Sequence, residues 1–172
     1  LDVGEGDPQQ VLAQLASADI LRVGINPALG GSGGDIADAV EVVAEVASHS
    51  LAAAFVFWGQ RAFIEYLLQS PNTQLRERLL PSLLAGELAG ATGLSNAMKF
   101  LSGIETLQVR ATAQDQGWTL NGRLHWVTNL RKSGFVVAAA IDDEAGGAPF
   151  ILAIPDVLTG VRRSDDLQLM GL

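Results

Sequence analysis

The sequence predicts an α+β fold: an all-α helical domain over residues 1–90, then an antiparallel β-sheet or barrel-like domain over residues 91–172. Three observations carry this. Apolar residues recur at helical spacing as far as Leu84. From Leu88 the period changes, and polar and apolar residues alternate from Leu107 to Asn129. Beyond Gly134, short apolar runs are separated by a turn rich in Asp and Gly.

The first helix is expected over residues 8–19, where Val11, Leu12, Leu15 and Ala16 form one stripe and Pro8 sits in a first turn that tolerates proline. Residues 19–34, with Pro27, Gly30, Gly31, Gly33 and Gly34, read as a flexible connection between packed helices. Neither Gly-Lys-Ser/Thr nor a spaced Gly-x-Gly-x-x-Gly after a strand is present, so a phosphate cradle is not indicated. Asp35 caps a second helix over 36–48. Glu41, Glu45 and His49 form a row along it, read as a solvated stripe because no second motif supplies the other half of a di-metal site. Ser50 caps a third helix reaching Gln69, apolar on nearly all sides from Leu51 to Trp58, as expected of a buried helix. Ser70-Pro71-Asn72 ends it, and a fourth helix runs from Thr73 to Leu84 with Pro81 kinking or splitting it. Gly86 is its C-terminal cap.

Leu107 to Gln114 reads as a strand, Asp115-Gln116-Gly117 as a turn, and residues 117–129 as the strand on which the chain is organised. Trp118, Leu120, Leu124, Trp126 and Thr128 fall on one face of that strand, an aromatic wall ending in a hydroxyl that suits a planar ring. Asn121-Gly122 marks either a hairpin or a bulge within it. Gly134 to Ile141 is a buried strand, Asp142 to Gly147 a turn, Pro149 to Ile154 another strand, and Leu158 to Arg163 a further candidate.

Of the 172 residues, 48% are hydrophobic and 17% charged, which marks an ordered globular chain. The net charge of -8 argues against nucleic-acid binding, which needs clustered Lys and Arg. Without cysteine there is no disulfide, thiolate catalysis or Cys-ligated zinc; a reducing compartment is compatible, and a cytoplasmic location is expected. The longest apolar run, Leu51 to Trp58, is shorter than the roughly 20 residues of a membrane span. The first residue is not Met and the last stretch, Leu167 to Leu172, is apolar, so the chain is expected to be part of a longer one.

The two histidines, His49 and His125, are the only candidate bases for a serine nucleophile, and no Gly-x-Ser-x-Gly elbow accompanies them. His125 reads as a surface residue of its strand. No metal site is indicated, and no catalytic residue can be named from the residues alone.

Four segments carry a family resemblance. Ile25-Asn-Pro-Ala-Leu-Gly-Gly-Ser-Gly-Gly, Leu79-Leu-Pro-Ser-Leu-Leu-Ala-Gly-Glu87, Gly90-Ala-Thr-Gly-Leu-Ser-Asn96, and Leu120-Asn-Gly122 with Trp126-Val-Thr-Asn129 resemble, in order, motifs of the acyl-CoA dehydrogenase family. The resemblance covers about residues 20–172. It departs where Asn96 replaces a usual glutamate, where Leu124 replaces a common lysine, and where Phe100-Leu-Ser-Gly103 stands near the place of Ala-Gly-Ser-Asp.

The resemblance implies a flavin adenine dinucleotide (FAD) held between the two domains. It implies that Ser95 and Thr128 hydrogen-bond the isoalloxazine edge, that Trp126 packs on the ring with Val127 beside it, and that the backbone of Thr92, Leu94 and Ser95 lines the pocket. Ser102 is the matching substrate contact. The implied reaction is α,β-dehydrogenation of an acyl-CoA thioester, with the base on a C-terminal bundle beyond this sequence, in a homo-oligomer served by an electron-transfer partner. Glu87 and Glu105 read as structural or solvent-facing. Two alternatives stand beside this: a flavin monooxygenase of the same fold, and a non-catalytic scaffold that has lost the flavin.

Overall fold

The computed structural model describes residues 8–165. The helical part comprises α1 (Pro8–Ser17), α2 (Ile36–His49), α3 (Leu51–Gln69) and α4 (Thr73–Leu84). The chain then alternates: β1 (Ala89–Thr92), α5 (Ser95–Leu101), β2 (Val109–Gln114), β3 (Gly117–Gly122), β4 (Phe135–Asp143) and β5 (Phe150–Pro155). Helices followed by sheet are as the periodicity predicts.

The helix boundaries follow local chemistry. Asp35 accepts from the amides of Ala37 (2.8 Å) and Asp38 (3.3 Å), and Asp38 accepts from the Asp35 amide at 2.8 Å. This reciprocal box satisfies donors at the α2 N-terminus that have no intrahelical partner. Asp35→Ala is expected to cost about 1 kcal/mol of stability, read from thermal denaturation. Ser50 caps α3 through the Ala53 amide, and Asn72 caps α4 through the Leu75 amide. Pro81 lies inside α4 and does not split it; the helix continues to Leu84. By length and composition α3 would serve as a membrane span, and half of it is buried inside this structure, against α2, β1 and α4.

β4 is the hub of the five-stranded sheet. It pairs with β1 in parallel (Ala89 opposite Phe135, Thr92 opposite Ala138), with β5 antiparallel (Val136 opposite Pro155, Ile141 opposite Phe150), and at its end with β2 in parallel (Arg110 opposite Asp142). β2 and β3 form an antiparallel hairpin across Asp115 and Gln116. The sheet is therefore mixed, where alternation pointed to an antiparallel one. Alternation reports which face a side chain takes, not the direction of its neighbour; the long connection from β1 through α5 and the β2–β3 hairpin returns β4 parallel to β1. Successive β4 residues serve opposite cores. Phe135 and Val137 pack with α1, Leu21 and Phe57, whereas Val136 and Ala138 pack with Ile25, Phe63, Ile64 and the leucines of α4. Burial on both faces is why this strand reads as a continuous apolar run.

Several expectations need correction. Residues 117–129 are not one strand. β3 ends at Gly122, whose φ of 150° and whose packing against the Gln108 carbonyl leave no space for a Cβ. Asn121-Gly122 is thus neither a hairpin turn nor a mid-strand bulge. Trp118 packs against Phe150 in a tilted arrangement (ring centroids 5.2 Å apart, 45° between planes), away from the cleft that Trp126 lines. Leu158 to Arg163 forms no strand. Residues 19–34 are not an unstructured connection: they hold two 3-10 turns, Ile20–Arg22 and Pro27–Leu29, and Gly33 bridges both Val23 and Ile25. β1 and α5 were not anticipated. The stripe on α2 is solvent-exposed as expected, with His49 3.3 Å from Glu45.

Candidate functional site

The Trp126–Thr128 segment is positioned by α3. Gln60 is fully buried and sits amid apolar neighbours on that helix. Its Nε2 donates to the carbonyls of Leu83 (2.8 Å) and Leu88 (3.0 Å). Its Oε1 accepts from the Gly90 amide (2.7 Å) and from Asn129 Nδ2 (2.9 Å). Asn129 also donates to the Gly90 carbonyl at 3.0 Å and adopts φ 63°, a left-handed conformation that Asn tolerates. Gln60 thereby joins the end of α4, β1 and the turn after Thr128.

Thr128 is held from two further sides. It exchanges both backbone hydrogen bonds with Thr92, each 3.2 Å. Its side chain lies against Gly59, where an added Cβ would stand 3.1 Å from the Thr128 methyl and 3.0 Å from Asn129. Thr92 is itself tied to α3, its hydroxyl sharing a 3.1 Å hydrogen bond with that of Tyr66.

From this frame opens a cleft of about 250 Å³, lined by Gly93, Ser95, Asn96, Lys99, Glu105, Gln108, Leu124, His125 and Trp126. Trp126 is 60% exposed there, unusual for an indole without a partner surface. Gly93 lets the walls approach: an added Cβ would stand 2.7 Å from Leu124 and 3.0 Å from the Ala138 carbonyl. The polar wall is one network. Lys99 Nζ donates to Glu105 Oε1 at 2.8 Å, and Asn96 Nδ2 donates to Oε2 at 3.1 Å. The hydrogen bond from Lys99 holds the Glu105 carboxyl below its usual range; desolvation opposes this, and Asn96 and the charges of Lys99 and His125 add to it.

Of the residues singled out from sequence, Ser95 and Trp126 reach this cleft directly. Thr92 and Thr128 form its backing ladder, Val127 packs into the core that includes α1 and Phe57, and Leu94 precedes α5 without a side-chain cap bond and packs against the core that holds Ile25, Phe63 and Val136. Ser102 lies at the C-terminal end of α5, its hydroxyl donating to the Met98 carbonyl at 2.9 Å, outside the cleft lining. Lys99 and Gln108 carried no sequence signal as cleft residues; Glu105, read as structural or solvent-facing, is a half-buried structural member of the wall, and His125, read as a surface residue, is exposed at the cleft. Nothing local marks an ion pair formed across a loop. Gln60 carried little signal, since it stands in the Gly59-Gln60-Arg61 break that ends the apolar run from Leu51.

Comparisons with known proteins point one way. The family model "Acyl-CoA dehydrogenase, N-terminal domain" matches residues 2–87. A Mycobacterium leprae protein named "Probable acyl-CoA dehydrogenase fadE25" is 30% identical over 146 residues, 85% of this chain and 37% of its own length. The benzylmalonyl-CoA dehydrogenase of Aromatoleum aromaticum is 26% identical over the whole chain and 45% of its own length. The chain therefore spans less than half the length of these relatives. A crystal structure of a Bacillus anthracis acyl-CoA dehydrogenase complexed with FAD shares the fold at a TM-score of 0.74 and 18% identity, over 94% of this chain and 28% of that one.

Proposed function

The chain belongs to the acyl-CoA dehydrogenase family, and from that premise we propose that it forms the helical and sheet walls of an FAD site in an oxidoreductase acting on an acyl-CoA thioester. The observation that carries this reading is the meeting of Trp126 and Ser95 in one cleft: an exposed indole beside a hydroxyl, with Gly93 allowing close approach. A flat ring with polar edges fits that set. Bound flavin supplies the hydride acceptor. The chain supplies position: Trp126 packs on the ring, with Val127 behind it. The Ser95 hydroxyl, in the cleft, and the Thr128 hydroxyl, on the ladder behind it, would meet the polar edge of the ring, and the backbone of Thr92, Leu94 and Ser95 would line that side. Ser102 contacts the acyl-CoA, for which its hydroxyl must turn from Met98. Glu105, both of whose oxygens are engaged by Lys99 and Asn96, is read as part of the cleft wall and not as the base for the α-proton. The reading includes a cytoplasmic homo-oligomer that passes its electrons to a separate protein.

The test is flavin retention by the full-length protein. Trp126→Ala combined with Thr128→Ala is expected to lower the flavin-to-protein ratio after gel filtration, measured by visible absorbance. A double variant as yellow as the parent overturns the assignment of this wall.

A further inference from the structure

One side chain builds the cleft wall that carries Glu105 and Gln108. Asn96 stands in the first turn of α5 and is 8% exposed. Its Oδ1 accepts from the Gln108 amide at 2.9 Å, and its Nδ2 donates to the Thr106 carbonyl at 3.0 Å and to Glu105 Oε2 at 3.1 Å. Three anchors of the stretch entering β2, at Glu105, Thr106 and Gln108, thus meet one carboxamide of α5, beside the Lys99–Glu105 bond and the Ile104 amide to Lys99 carbonyl bond. Glu105 is held at its other oxygen, Oε1, by Lys99, while Gln108 Nε2 approaches the same Oε2 that Asn96 binds, at 3.5 Å. The charged groups acting on it are Lys99, on α5, and His125, in the segment that carries Trp126.

The demand on position 96 is specific: one acceptor and two donors on a short planar group. Aspartate keeps the acceptor but turns lone pairs toward the Thr106 carbonyl and the Glu105 carboxylate. Glutamine displaces the group by a methylene, and alanine offers nothing. Among side chains of this length only asparagine satisfies all three partners.

We infer that Asn96 is a positioning residue: it sets Glu105 and Gln108 against Ser95, His125 and Trp126, and so fixes the affinity of the cleft for its ring ligand. The identity of the ligand rests on the flavin reading above; the clamp itself does not. Two variants of the full-length protein, Asn96→Ala and Asn96→Asp, test it by amide hydrogen exchange at Gln108 and by FAD titration. Asn96→Ala is expected to lose Gln108 protection and to weaken FAD binding about tenfold or more. Asn96→Asp is expected to keep that protection, since its oxygen still accepts, yet to weaken FAD comparably at neutral pH. Its affinity should recover as the pH falls and the facing carboxylates share a proton, a step absent from the parent, which carries the same His125. An Asn96→Asp protein that binds FAD like the parent at every pH overturns the positioning role. If the parent binds no FAD, the ligand reading fails, and exchange alone judges the clamp: Gln108 protection unchanged in Asn96→Ala overturns it.

Discussion

Gln60→Leu is expected to lower the unfolding free energy by roughly 3–5 kcal/mol, as several buried partners lose their hydrogen bonds at once. The replacement is close in volume, so little cavity forms and the loss isolates polarity. The Leu83 and Leu88 carbonyls lose their amide donor, and the Gly90 amide and Asn129 Nδ2 lose their acceptor. Asn129 keeps its bond to the Gly90 carbonyl, which trims the total below four full penalties. Gln60→Glu should be worse than Gln60→Leu, because it keeps the acceptor, removes the donors and buries a charge. Urea unfolding of both variants checks the order as well as the size. A Gln60→Leu loss under 1 kcal/mol would show that the four-way junction is not what fastens the Thr128 turn to the helices.

The same junction shows how much could be read in advance. The helices follow from spacing and caps: Asp35 and Ser50 close the amides that the sequence suggests. The apolar surround of α3 is matched by burial only in part: Ala52, Ala54 and Phe57 are buried, whereas Leu51, Phe55 and Trp58 of the same stretch are exposed. β4 is legible because both of its faces are buried. β1 is not: Ala-Gly-Ala-Thr has little strand preference, and its form comes from pairing with Phe135–Ala138 and from Gly90, which lets Phe63 pack against the strand (an added Cβ would lie 2.6 Å from Phe63). Such contacts are tertiary and override local propensity. The alternation past Gly122 misleads for a related reason. Side chains in an irregular segment can alternate by sequence, while the backbone is already directed by Gly122 and by the Thr92–Thr128 bridge. At the site, the motifs place Trp126 and Ser95. The Lys99–Glu105 pair has no signature, because its geometry depends on the loop that Asn96 holds.

Arg61→Met is expected to act in the opposite direction, raising stability by about 1–3 kcal/mol in urea or thermal unfolding. Arg61 is 4% exposed on α3, and its guanidinium nitrogens make no hydrogen bond among the described residues. Its one ionic neighbour, Glu65, is 3.9 Å away and more exposed, a distance at which attraction is weak beside the cost of desolvating a cation. Burial accordingly lowers the guanidinium pKa, with Glu65 working against the shift. The sign follows from linkage. A base whose pKa is lower folded than unfolded binds protons more tightly when unfolded, so its charge opposes folding at every pH below the folded value. An arginine stays charged through the neutral range, and the penalty is therefore constant there. Methionine fills similar length with a flexible apolar chain and removes it. Glu65→Gln should move the other way, since it leaves the cation with no counter-charge. The two substitutions are also non-additive: once Arg61 is methionine, losing the Glu65 charge should cost almost nothing. A double-mutant cycle reads this coupling directly. Arg61→Met destabilising the fold, with no coupling to Glu65, would mean that α3 is packed around a bonded guanidinium and not around a buried charge it tolerates.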